Sequence, residues 1–115
     1  MLKPKLTALA QKYLNQIEEA SKTPIMLPLD SLHLTDSLYH KHLNEKKMLR
    51  ICENFKPEKF KPILVGKRKS GDYYVIDGQH RFVVAAVLEH KEILCCVVDT
   101  TCDLHEMDMY LAFNQ

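Results

Sequence analysis

Asp77, Gly78, Gln79, His80 and Arg81 place a carboxylate, a conformationally free residue, an amide, an imidazole and a guanidinium in five consecutive positions. They follow the β-rich run Tyr73 to Ile76 and precede the apolar run Phe82 to Leu88, a pattern that predicts a strand turning at once into a helix. The first amides of a helix have no intrahelical partner and the helix dipole is positive there, so such a corner attracts anions. Arg81, in the first helical turn, adds a planar fork that suits phosphate or carboxylate. An arginine there opposes the dipole, so something anionic must compensate it, either a ligand or Asp77. The chemistry that fits is an anion site, above all for a nucleotide phosphate. A plain corner, with Asp77 as cap and Gly78 relieving backbone strain, accounts for the same residues without a ligand.

Each side chain has two readings. Asp77 could hold Mg²⁺ through a water, because Mg²⁺ takes one or two carboxylates plus phosphates, or it could only cap the helix. His80 could hydrogen-bond a phosphate or move a proton near neutral pH, or be a satisfied structural histidine. Cys95, Cys96, Cys102 and His105 suggest a metal, with Cys102 and His105 at ligand-like spacing. Adjacent strand residues face opposite ways, however, so Cys95 and Cys96 do not suit one ion and the pattern argues against zinc. His33, His40 and His42 share one loop, whose polarity explains them. The chain has no Walker A loop, GxGxxG, GxSxG or HExxH.

These residues need elements to hold them. Leu6, Leu9, Ala10, Tyr13, Leu14 and Ile17 mark one face of a helix over residues 5–20. Pro24 and Pro28 bracket a short edge strand, and residues 30–42 read as turn and loop. A second helix is expected from Asn44 to Phe55, with Met48, Leu49, Ile51, Cys52 and Phe55 on one face. A hairpin follows, with strands at 62–68 and 72–76 joined by Lys69-Ser70-Gly71. The helix from Gln79 to about His90 is apolar nearly all round, which predicts burial on more than one side. Ile93 to Val98 reads as a covered central strand, and Leu104 to Phe113 as a last helix with Leu104, Met107, Met109 and Leu111 inward. The fold class is α+β, a small mixed sheet with packed helices.

With 115 residues, 46% apolar and 27% charged, the chain suits one modest globular core. No apolar run is long enough to span a membrane, and the N-terminus lacks a signal-peptide pattern. A cytoplasmic protein with reduced cysteines is the expectation. Net charge is only +1, but Lys56, Lys59, Lys61, Lys67, Arg68 and Lys69 form a basic stripe opposed by one acid, Glu58. Such a stripe either raises the local concentration of a polyanion or is simply a solvated flank.

The run Pro62 to Val65, the hairpin, the DGQHR stretch at 77–81, the alanine-containing helix and Ile93 to Asp99 together resemble the ParB/sulfiredoxin fold. The best match is the branch of ParB-like domains named for a DGQHR motif, several of them from phages and mobile elements. The resemblance covers roughly residues 25–113, which divides the chain into an amphipathic helix extension, 1–23, and a ParB/sulfiredoxin-like domain, 24–115. It implies that Gly78, Gln79, His80 and Arg81 hold the phosphates of a nucleotide such as CTP or ATP. Partition ParB proteins have G-E-R-R here and bind CTP; Gly78 and Arg81 match, while Gln79 replaces the Glu. Sulfiredoxins have G-G-C-H-R and bind ATP; Gly78, His80 and Arg81 match, but Gln79 stands where the catalytic Cys belongs and cannot form a thiolate. Many DGQHR-type domains carry Tyr-Gln-Arg before the second helix; here Tyr39-His40-Lys41 offers Lys41 as the cation.

The function this implies is a nucleotide-binding or phosphate-binding domain. It leaves open whether the domain acts as a nucleotide hydrolase or nuclease in DNA transactions, as some ParB-like relatives are described. Asp77 and His80, with Glu53 a further guess, are then the candidates for activating water. The alternative is a non-catalytic DNA- or protein-binding module in which the turn is only structural. DNA binding through the stripe at 56–69 would fall steeply with salt and need no nucleotide.

Overall fold

The computed structural model describes residues 2–34, 45–53 and 61–114. Among them are helices α1 (Leu2–Ser21), α2 (Glu45–Glu53), α3 (Gln79–Val87) and α4 (Asp103–Phe113). The strands are β1 (Ile25–Pro28), β2 (Leu32–His33), β3 (Ile63–Lys67), β4 (Tyr73–Asp77) and β5 (Glu92–Asp99). They form one sheet in the order β1-β5-β3-β4-β2. β3 pairs parallel with β5 and antiparallel with β4, so the sheet is mixed and the expected α+β class holds. No described helix is long and apolar enough to cross a membrane.

Sequence chemistry explains most of the boundaries. Pro28 closes β1 at the sheet edge, where a missing N–H costs no ladder bond. The hairpin turns through Arg68 N–H to Asp72 O, 2.9 Å, and Gly71 N–H to Arg68 O, 2.8 Å. Side chains alternate across the sheet and feed two cores. Leu64, Ile76, Cys96 and Val98 meet Ile17 of α1 and Met109 and Tyr110 of α4. Ile63, Val65, Val75 and Cys95 meet Ala85 and Phe82 of α3 on the other face. Cys95 and Cys96 thus enter different cores, and burial pushes the Cys95 thiol up to about 12.

Four expectations are corrected. Residues 30–42 contain a strand, β2, paired parallel with β4 through Leu32–Tyr73 and His33–Tyr74; two residues carry no readable period. α2 turns Leu49 outward, although Met48, Ile51 and Cys52 are half-buried as expected. α3 is covered by both the sheet and α2 as expected, with Val84 and Ala85 buried, but its last turn is open and Val87 is 69% exposed. It also ends early, because Glu89 adopts φ +61° and the amides of Glu89 and His90 bond back to Ala86 and Ala85, a Schellman-type stop. In α4 Met107 and Met109 turn inward as expected, but Leu104 (68% exposed) and Leu111 (53%) face out, and Glu106, Tyr110 and Ala112 are buried instead.

The α4 phase has a clear cause. Arg68 Nη2 donates to Glu106 Oε1 at 2.7 Å and Arg68 Nε to Oε2 at 3.1 Å; Nη2 also reaches Asp103. Thr100 Oγ1 donates to Glu106 Oε2 at 2.7 Å, and the guanidinium lies 3.6 Å from the centroid of the Tyr74 ring. The Glu106 carboxylate, 0% exposed, fits because Gly66 has no side chain; a Cβ there would lie 3.0 Å from it and 2.7 Å from Thr100. A buried carboxylate demands a charged partner, and that demand outranks the apolar stripe.

Candidate functional site

The corner after β4 takes its shape from Gly78, whose φ of +100° is left-handed and favours glycine. A Cβ there would come within 2.5 Å of Ile63 Cγ2. Gly78 is the N-cap of α3, its carbonyl accepts the first helical bond from Phe82 at 3.0 Å, and no side chain caps the helix. The expectation of Asp77 as cap is therefore corrected: Asp77 is the last residue of β4. No N-cap side chain therefore competes with a ligand for the first turn of α3.

That helix start opens into a cleft of about 230 Å³ lined by Asp77, Gly78, Gln79, His80 and Arg81, by Lys47 and Ile51 of α2, and by Tyr110 and Asn114 beside α4. All four motif residues assigned to a ligand, and Asp77 with them, meet here. Lys41 lies outside the described residues, as do Tyr39, His40, Lys56 and Lys59. Lys47 is a cleft cation that periodicity did not disclose, because which face of α2 turns toward α3 is a tertiary matter. A larger depression of about 600 Å³ along α1, near Ala8, Gln11 and Lys12, gathers no comparable group of chemistry-bearing side chains.

Gln79 is only 6% exposed, and its side-chain amide makes no hydrogen bond to another described residue. An unmet buried amide costs about 1–3 kcal/mol, which favours a ligand or water at this point. Arg81 Nη1 donates to the Lys61 carbonyl at 2.5 Å, and no described carboxylate forms an ion pair with Arg81. The carbonyl orients the guanidinium without neutralising it, so Asp77 is not its counter-ion. Burial, and next the charge of Lys47, push the His80 imidazole below its ordinary value, which leaves it neutral at pH 7. Glu53, at the exposed end of α2, does not line the cleft.

The basic stripe is narrower than its residue types suggest. Lys61, Lys67 and Lys69 are exposed, but Arg68 is spent on Glu106 and Asp103 and contributes no field to a polyanion. Metal donors are also sparse. Among the described residues no group of three or more His, Cys, Asp or Glu could hold an ion. His105 Nδ1 already accepts the Thr101 N–H at 3.1 Å, and His33 lies against the Tyr74 ring. The Asp77 carboxylate makes no hydrogen bond or ion pair with a described residue, and one carboxylate suits Mg²⁺ only when phosphates complete its shell. Mg²⁺ at this cleft would come with a polyphosphate.

The mixed sheet with its strand–turn–helix corner is a fold this chain shares with solved ParB and sulfiredoxin structures. Within it, the chain belongs to the ParB N-terminal domain family, whose sequence model matches residues 14–115. Among solved structures, it is similar to chromosome-partitioning protein ParB from Caulobacter crescentus, C-terminally truncated and complexed with CTP-gamma-S. That likeness has a TM-score of 0.64 at 17% identity, covering 79% of this chain and 52% of that one. The same protein complexed to the centromeric parS site gives 0.55 at 17% identity, covering 76% and 44%. Sulfiredoxin from Arabidopsis thaliana gives 0.58 at 21% identity, covering 69% and 88%. The chain spans about half the length of the ParB structure it matches. No curated protein matches it.

Proposed function

We propose that this domain binds the phosphates of a nucleotide, CTP or ATP, at the α3 corner, in a protein that works on DNA. The observation that carries the reading is the left-handed Gly78 corner, which opens an uncapped helix start and the buried Gln79 into one cleft with Lys47 and Arg81. In this reading the amides of Gln79 and His80 and the Arg81 guanidinium hold the phosphates. Lys41, outside the described residues, is a further candidate cation for the phosphates, and Asp77 orients Mg²⁺ carried by the ligand. Residues 24–115 are the binding domain, with 1–23 an amphipathic helix that braces it. The ParB structures similar to this chain hold CTP-gamma-S and parS DNA, which supports nucleotide and DNA as the partner classes. A hydrolase or nuclease version would use Asp77 to orient water and the neutral His80 to accept a proton.

The test is thermal unfolding with CTP, ATP, GTP and ADP, with and without Mg²⁺, in wild type and Arg81→Ala. A ligand at a hundred times its Kd adds about 2.7 kcal/mol of stability. Arg81→Ala is expected to weaken binding at least tenfold, the scale of one charge-assisted hydrogen bond of about 1.5–3 kcal/mol. No stabilisation by any nucleotide would remove the reading. DNA binding that needs no nucleotide and falls steeply with salt would favour the turn as a structural feature of a DNA-binding module.

The reading also predicts proton uptake. His80 titrates below its ordinary value in the free protein, so its contribution to stability is complete above about pH 6.5 and is lost as pH falls through the lowered value. A bound polyphosphate favours the imidazolium and raises that value. Affinity should therefore rise as pH falls from 8 to 6. Calorimetric titrations in two buffers of different ionisation heat should show up to about one proton taken up. Equal heats in both buffers would place His80 away from the phosphates.

A further inference from the structure

α4 touches two separate constellations. Near its start, Glu106 is held by Arg68 of the hairpin and by Thr100. Tyr110, one turn on at about 6 Å, and Asn114, two turns on at about 12 Å by the rise of 1.5 Å per residue, line the cleft. We propose that the Arg68–Glu106 pair is a positioning device for that cleft: it fixes where α4 lies along its own axis and so sets the α4 wall of the site. The proposal rests on the cleft as a phosphate site, but the position of α4 can be read without a ligand.

The apolar contacts of α4 are poor at setting position. Met109 and Ala112 pack by apolar contact, which is non-directional and tolerates small slides. Leu104 and Leu111 face outward and restrain nothing. The Arg68 fork is directional. One axial position alone lets Nε and Nη2 meet the two Glu106 oxygens while Thr100 meets one of them. A buried ion pair is also a weak way to stabilise a fold, and its best-attested use is to select one register. Gly66 has the same logic, since its missing side chain makes room for that carboxylate. Asn114 extends the chain of consequence, because its Nδ2 donates to the Tyr110 carbonyl at 2.8 Å and so moves with the helix end.

Two variants test this, Arg68→Lys, which keeps the charge but loses the fork, and Glu106→Gln, which keeps the shape but loses the charge. Amide hydrogen exchange is compared between residues 110–114 and the sheet amides of β3 and β5, and binding of inorganic tripolyphosphate is measured below the melting range. The expected result is exchange at 110–114 that accelerates more than in the sheet, with binding about tenfold weaker, in the range found for coupling through a packed element. Exchange that is unchanged, or that rises only in step with the sheet, would make the pair a plain stabiliser and overturn the proposal. If Glu106→Gln does not fold, Arg68→Lys decides by the same comparison. If wild type binds no tripolyphosphate, the phosphate reading fails by itself, and exchange alone still decides whether the pair positions α4.

Discussion

Arg68→Met should be among the most destabilising single substitutions in this domain, with an expected loss of about 3–5 kcal/mol, because it leaves a buried carboxylate without its counter-charge. Glu106 is 0% exposed, and the nearest remaining donor is the Thr100 hydroxyl. One neutral hydroxyl cannot offset the desolvation of a carboxylate. Replacing both partners, Arg68→Met with Glu106→Met, should recover most of the loss, since a well-packed apolar pair is often as stable as the ions it replaces. Urea unfolding of the wild type, both singles and the double variant reads this directly as a coupling energy. If the two single losses simply add in the double variant, Arg68 and Glu106 are not the coupled pair that their geometry implies. The same result would return Arg68 to the basic field.

Gly78→Ala should cost about 3 kcal/mol through two independent terms. The left-handed φ of +100° penalises any Cβ by about 1–2 kcal/mol. The new atom would also stand 2.5 Å from Ile63 Cγ2 and 2.9 Å from Ile63 Cβ, and overpacking of that kind costs about 1–3 kcal/mol. Ile63 cannot yield easily, because it is 1% exposed and sits in the core under α3. Combining the change with Ile63→Ala removes the nearer clash and leaves the φ penalty, so the double variant should lose at least 1 kcal/mol less than the sum of the singles. Strict additivity would mean that the corner does not rest on Ile63. The turn is thus constrained from two sides, by the left-handed backbone of Gly78 and by Ile63 packed beneath it.

The motif was legible because its five groups are neighbours in the chain, and a strand meeting a helix at a glycine needs no tertiary information. Legible for the same local reason were α1, the proline-bounded β1, the hairpin and the apolar β5. Lys47, Tyr110 and Asn114 were not legible as cleft residues, since they reach the motif from helices whose facing is decided by packing. Two residues of the expected inward face of α4 failed for a sharper reason. Leu104 and Leu111 have the period of a buried stripe, yet the buried turn belongs to Glu106, Met109 and Tyr110.

What this sequence determined by itself is local chemistry: a turn that only glycine tolerates, a cationic helix start after it, an amide where a sulfiredoxin thiol would stand, and an α+β alternation of periods. Tertiary structure alone decided how the charges are used. Arg68 and Arg81 look alike in the chain, both basic and both close to a turn. One is locked to Glu106 beneath the hairpin; the other is held by a backbone carbonyl and forms no ion pair with a described acid. The physical reason is that a charge acquires its role from what lies within a few ångströms in space, and residues 38 positions apart meet only when the sheet and α4 have closed on each other.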